Sequence, residues 1–322
     1  MVKKPSTANP NHDSKGMPRR RFIGRAAAAV AGLSAISAGA DPGARTRPHP
    51  SQGFRLKYAP PLGMFKEHAG EDPIDQLKFM ADQGFRAMFH NGLMNLPPAQ
   101  QEKLAGEMNR SNMEWGPFVA YADFKVKSFV TRDPDIRSML QQRVKTAIET
   151  AQRVNAKWTL MVPGRFDEGL EWDYQTANVI ENLKRCAELC EPSGLIIVIE
   201  PLNAWTNHPG LFLTKIPQAY QICRAVGSPS CKIINDIYHQ QITEGNLIPN
   251  IDMAWSEIAS FHIGDNPGRK EPTTGEINYK NIFKHLHNKG YQGVLCMEHG
   301  KSISGLEGEK AVIEAYRDCD DF

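Results

Sequence analysis

Four residues of ligand type stand 36, 26 and 36 positions apart: Glu200, Asp236, His262 and Glu298. Each ends or follows a short apolar run. Glu200 closes Ile196-Ile197-Val198-Ile199, Asp236 closes Ile233-Ile234-Asn235, His262 follows Ser260-Phe261, and Glu298 closes Leu295-Cys296-Met297. A carboxylate at the end of a buried apolar run is costly unless something neutralises it. A divalent cation would do so for all of them at once. Three carboxylates and one imidazole suit a hard-to-borderline ion, with Mn²⁺ or Mg²⁺ first and Co²⁺ or Zn²⁺ as alternatives. Taken singly, each residue reads as a salt-bridge partner or a hydrogen-bonded histidine; the set of four at one spacing points to a metal. His239 lies three residues past Asp236, and Arg269 sits in the loop after His262. The planar fork of an arginine there suits an oxyanion or carboxylate.

Such a set must be positioned by repeating elements. Eight β-type runs are predicted, at residues 54–59, 85–90, 115–121, 158–162, 195–200, 232–236, 260–264 and 294–298. Helical patterns alternate with them at 73–83, 97–111, 133–154, 174–190, 214–226, 250–257, 279–289 and 306–318. Ile180, Leu183, Ala187 and Cys190 show the helical period. The continuous run Leu195-Ile196-Ile197-Val198-Ile199 suits a strand buried on both faces, as in parallel sheets. Eight units of about 34 residues predict a (β/α)8 TIM barrel over residues 53–322, with its site at the carboxyl ends of the strands. No Gly-x-Gly-x-x-Gly follows the first strand, which argues against a dinucleotide fold.

Charge divides the chain. Nine of the 38 Lys/Arg but only two of the 36 acids fall within the first fifty residues, so residues 51–322 carry a net of −5. That balance argues against a nucleic-acid partner. The leader contains Pro18-Arg19-Arg20-Arg21-Phe22-Ile23-Gly24, a small-residue apolar stretch from Ala26 to Ala38, and Ala38-Gly39-Ala40. It resembles a twin-arginine signal peptide over residues 1–40, with a linker over 41–52. The expectations are recognition by the twin-arginine export machinery, a periplasmic location and no stable membrane anchor. None of the six cysteines forms a Cys-x-x-Cys pair, and Cys186 and Cys190 read as buried small hydrophobes. Trp115, Trp158, Trp205 and Phe65 read equally as walls of the site or as barrel-core packing, and His299 as lining the pocket or orienting Glu298. His285 and His287 read as solvated.

Ile199-Glu200-Pro201-Leu202-Asn203, Asp236-Ile237-Tyr238-His239, the stretch from Asp265-Asn266-Pro267-Gly268-Arg269 to Gly275-Glu276-Ile277-Asn278-Tyr279, and Gly290-Tyr291-Gln292-Gly293 stand in this order. Together they resemble the xylose isomerase-like barrel proteins, and within them the hydroxypyruvate isomerase branch. The likeness spans most of residues 54–317. It implies that Glu200, Asp236, His262 and Glu298 hold the metal. It also implies that Glu200 and Glu298 act as paired acid/base groups, and that His239 and Arg269 contact substrate oxygens. The implied reaction isomerises a small α-hydroxycarbonyl compound by proton transfer through a metal-bound enediolate. Epimerisation of a ketose or 3-keto-glycoside, or sugar binding without catalysis, are the alternatives; a homodimer is a further expectation. A multi-zinc phosphodiesterase of the endonuclease-IV type also shares the barrel, but it needs a cluster rich in histidine. Two departures stand out. Phe89-His90 replaces a Glu common in the family, and Thr206 replaces the second Glu of the ketohexose epimerase branch.

Overall fold

A computed structural model describes residues 53–322. The signal peptide and linker expected over residues 1–52 lie outside the described residues. The strands are β1 (Lys57–Ala59), β2 (Ala87–Met88), β3 (Glu114–Trp115), β4 (Phe118–Tyr121), β5 (Trp158–Met161), β6 (Ile196–Ile199), β7 (Cys231–Asp236), β8 (Ile258–His262) and β9 (Val294–Cys296). Seven of them form one parallel sheet in the order β1-β9-β8-β7-β6-β5-β4, and β2 pairs in parallel with β3. Backbone bonds link the two sheets. Phe89 N donates to Pro60 O at 3.2 Å and Val119 N to Asn91 O at 3.1 Å. The result is the expected TIM barrel, with one correction: the third strand is two pieces. It breaks at Gly116-Pro117, where proline has no N–H for the ladder. A Cβ on Gly116 would lie 2.7 Å from both Cys296 Sγ and Phe89 Cβ, so only glycine fits there.

The helices are α1 (Lys66–Ala69), α2 (Pro73–Asp82), α3 (Pro98–Arg110), α4 (Pro134–Val154), α5 (Trp172–Cys190), α6 (Ile216–Val226), α7 (Ile237–Thr243), α8 (Leu247–Ala254), α9 (Tyr279–Asn288) and α10 (Gly305–Asp320). Two short ones, α1 and α7, were not expected; four and seven residues are too few for a periodic pattern. The helix starts are written in the chain. Asp72 accepts from Ile74 N and Asp133 from Asp135 N and Ile136 N, each just before a proline at the first helical position. Such a cap contributes about 1 kcal/mol.

The side-chain parity of the strands builds two cores. Ala59, Ala87, Val198, Ile234, Val294 and Cys296 belong to an inner cluster. Ile197, Ile199, Ile233, Phe261 and Leu295 belong to the layer beneath the helices. Successive strand residues face opposite ways. Residues 198 and 234 point inward, so Glu200 and Asp236 continue that inward row, as Glu298 continues 294 and 296. Fold and alternation together aim the polar row into the mouth.

Candidate active site at the barrel mouth

Asp236 and His262 are the last residues of β7 and β8, paired across the ladder. Glu200 lies one residue past β6 and Glu298 two past β9, so neither is the final strand residue expected. One ligand atom from each of the four lies within 4.8 Å of all the others. His262 Nδ1 stands 2.7 Å from Glu200 Oε1, 3.1 Å from Glu298 Oε2 and 3.9 Å from Asp236 Oδ2. Glu200, Asp236 and His262 are buried, and the Glu298 side chain is a quarter exposed.

The electrostatics follow from this crowding. Burial pushes Glu200 and Asp236 above the usual carboxyl range. Burial acts the same way on Glu298, but His262 and then Arg269 outweigh it and hold that carboxyl well below its usual range. Burial opposes the charged form of His262, yet Glu298 and Glu200 raise its pKa well above the usual value. Three carboxylates face His262 and one guanidinium in a largely buried site. A donor set of three carboxylates and an imidazole, gathered this tightly, fits a divalent cation.

The surrounding residues fix which oxygens are free. Asp236 Oδ1 caps α7 by accepting from His239 N at 3.0 Å, which leaves Oδ2 for the mouth. Arg269 Nη2 donates to that Oδ2 at 3.1 Å and to Glu298 Oε2 at 2.6 Å. Its Nε donates to Glu298 O at 3.2 Å, and its guanidinium lies 5.0 Å from the Tyr238 ring centre. The loop carrying Arg269 is built around buried Asp265, which accepts from Gly275 N at 2.9 Å and Ile277 N at 3.1 Å. A Cβ on Gly275 would meet Asn266 O at 2.2 Å, so this turn of the long motif requires glycine. His239 is fully buried, and burial pushes its pKa down to about 3.

All six predicted site residues therefore converge. Three others were missed. Asn91 donates to Glu298 Oε1 at 3.1 Å. Asn203 bonds to His239. Phe89 lies with its ring centre 5.9 Å from that of His262. The departure at Phe89-His90 thus supplies a buried wall and a rim imidazole, while Thr206 is exposed on the loop after β6. A cleft of about 430 Å³ opens over the site, lined by Phe89, His90, Asn91, Arg269, Glu298 and His299. His299 turns away from the Glu298 carboxylate, with Nε2 2.9 Å from Tyr316 Oη. Of the wall candidates, Phe65 and Trp115 belong to the layer under the helices, Trp158 to the inner core, and Trp205 is exposed. His287 is exposed as expected, whereas His285 is half-buried and pairs with Asp252 at 2.9 Å. All six cysteines are free and buried.

The chain matches the xylose isomerase-like TIM barrel family over residues 77–319. It belongs to that family. It is 35% identical over 174 residues to the hydroxypyruvate isomerase of Escherichia coli, covering 54% of this chain and 67% of that one. It is 30% identical over 239 residues to the 2-oxo-tetronate isomerase of Pectobacterium atrosepticum, covering 72% of this chain and 89% of the relative. Among solved structures, the 3-keto-D-glucoside 4-epimerase of E. coli superposes with a TM-score of 0.68 at 17% identity, covering 82% of this chain and all of that one. The curated relatives are isomerases, and the structural likeness shows the shared barrel. Among the described residues the cluster holds a single histidine, unlike a His-rich multi-zinc centre.

Proposed function

We propose that this protein is a metal-dependent isomerase of a small α-hydroxycarbonyl compound, of the hydroxypyruvate isomerase type. The observation that carries the reading is the gathering of Glu200, Asp236, His262 and Glu298 at one mouth beneath an open cleft. These four residues would hold one divalent ion, Mn²⁺ or Mg²⁺ before Co²⁺ or Zn²⁺ by donor type. Such an ion, when bound, polarises a carbonyl and acidifies the neighbouring C–H. Glu200 and Glu298 do the proton work, because both lie against His262 Nδ1 and so flank the same space. One takes the α-proton to leave an enediolate, and return of a proton to the adjacent carbon exchanges aldehyde and ketone. Arg269 and His239 face the developing oxygen charge. Phe89 and the buried floor keep water from the reacting carbons.

The same two glutamates permit epimerisation of a ketose or 3-keto-glycoside when the proton returns to the opposite face. The stereochemistry of the product separates the two readings. The leader at Arg19-Arg20-Arg21-Phe22 makes the enzyme an exported, periplasmic one in this proposal.

The test joins metal analysis to proton exchange. Purified protein should hold about one divalent ion per chain. It should exchange the α-proton of a substrate with deuterated water, screened over hydroxypyruvate, ketoses and 3-keto-glycosides. Glu298→Gln should abolish exchange while the far-UV circular dichroism is unchanged. A metal-loaded protein that exchanges no proton on any of these compounds refutes the reading, and tight binding without turnover would make it a sugar-binding barrel instead.

A further inference from the structure

His239 meets Asn203 through one ring nitrogen and the site through the other. Its Nδ1 is 3.2 Å from the backbone N of Asn203 and 2.6 Å from Nδ2 of the same residue. The orientation of the Asn203 amide is fixed by its oxygen, which accepts from Thr206 N at 3.0 Å and Asn207 N at 3.1 Å. Flipping the amide would set its NH₂ against those two donors, so the NH₂ faces the imidazole. Nδ1 therefore receives two N–H groups and must present a lone pair. The ring's single proton then sits on Nε2. That atom is buried, has no hydrogen-bond partner among the described residues, and lies 3.6 Å from Asp236 Oδ2, beyond bonding range. The ring is held in place by full burial, with the His208 and Tyr238 rings each 5.3 Å away centre to centre, while the backbone N of His239 is tied to Asp236 Oδ1.

We infer that Asn203 is a positioning residue that locks His239 as the neutral Nε2–H tautomer, so that His239 offers the substrate a hydrogen-bond donor. This deepens the isomerase reading and rests on it for the identity of the acceptor, a substrate oxygen that gains charge during proton transfer. Asn203 reaches the reaction only through the imidazole. The arrangement also binds the loop after β6 to the same point, since His208 N donates to Asn203 O at 3.0 Å. A carboxylate in place of the amide would invert the pattern: it would still accept from Thr206 N and Asn207 N, but it would draw the proton to Nδ1 and leave a lone pair facing the substrate.

The experiment uses the full chain carrying ¹⁵N-labelled histidine and loaded with diamagnetic Mg²⁺. Two-bond ¹H–¹⁵N spectra report the tautomer, and His239→Asn assigns the signal by its loss. The wild type should show Nδ1 unprotonated and Nε2 protonated; Nδ1 protonated overturns the inference without any variant being made. Asn203→Asp should move the proton to Nδ1 and lower kcat by about 10²-fold, the scale of losing one donor to a developing oxyanion, while KM stays within about threefold. A variant that keeps the wild-type tautomer, or that swaps it with kcat unchanged, also overturns it. If the wild type turns over no hydroxycarbonyl, the isomerase reading fails while the tautomer measurement still decides the role of Asn203.

Discussion

Asn91 Nδ2 donates to Glu298 Oε1 at 3.1 Å across the barrel mouth, 207 residues away in the chain. Glu298 Oε2 is meanwhile held by Arg269, so both oxygens of this carboxylate are fixed by named donors. Asn91 is exposed on the rim, so its bond is worth the modest amount of a solvated one, about 0.5–1.5 kcal/mol. Asn91→Ala should therefore lower kcat by roughly 2–10-fold with little change in thermal stability. Steady-state kinetics beside a melting curve checks both halves, and a loss above 10³-fold would mean that Asn91 does more than orient Glu298.

Metal removal gives a second outcome. Among the described residues, Glu200, Asp236 and Glu298 have His262 and Arg269 as their neighbouring cations, so a dication relieves their repulsion in the folded state. Adding Mn²⁺ at about a hundred times its Kd should stabilise the protein by about 2.7 kcal/mol. Chelation should reverse this without unfolding the chain, because the inner core does not depend on the site. Asp236→Asn should lose most of the metal response in thermal denaturation. An equal response from wild type and variant would place the metal elsewhere.

Glu309 carries the third. Its side chain is fully buried and accepts from Glu67 N at 2.9 Å, His68 N at 3.0 Å and Lys301 Nζ at 3.0 Å. Burial raises its pKa, but the hydrogen bonds from Glu67, His68 and Lys301 outweigh that and leave it below the usual carboxyl value. A depressed carboxyl adds stability that is complete above its unfolded pKa, near 4.3, and is lost as pH falls through the lower folded value. Glu309→Gln should cost about 1–3 kcal/mol at neutral pH by denaturant titration. The difference should shrink in acid below about pH 4; a gap that widens there would reverse the sign of this account.

Thiol chemistry supplies the fourth. All six cysteines are buried, and burial pushes Cys186, Cys190 and Cys319 up to about 12. Thiolates are the reactive form, so a disulfide-exchange reagent at pH 8 should label none of them quickly in the native protein. In denaturant all six should react. Fast labelling of one native thiol would show an opening that this packing does not predict.

Much of this protein was legible along the chain. Strict alternation of apolar runs with helical patterns specifies a parallel sheet covered by helices, since such strands are buried on both faces, and eight units of about 34 residues select the closed barrel over an open sheet. The four clustered residues were legible for the same reason: each stands where an apolar run stops, and a parallel barrel brings every such stop to one rim. Short elements escaped, since α7 has too few residues for a period, and the break at Gly116-Pro117 depends on Cys296 and Phe89 closing in from other strands. Asn91, Asn203 and Phe89 escaped as well. Nothing in an asparagine's local sequence says which carboxylate or imidazole it will meet, because that partner is set by strand register and loop path. Residue type and spacing determined which groups could do chemistry, and tertiary packing decided which oxygen, which ring nitrogen and which neighbour each of them uses.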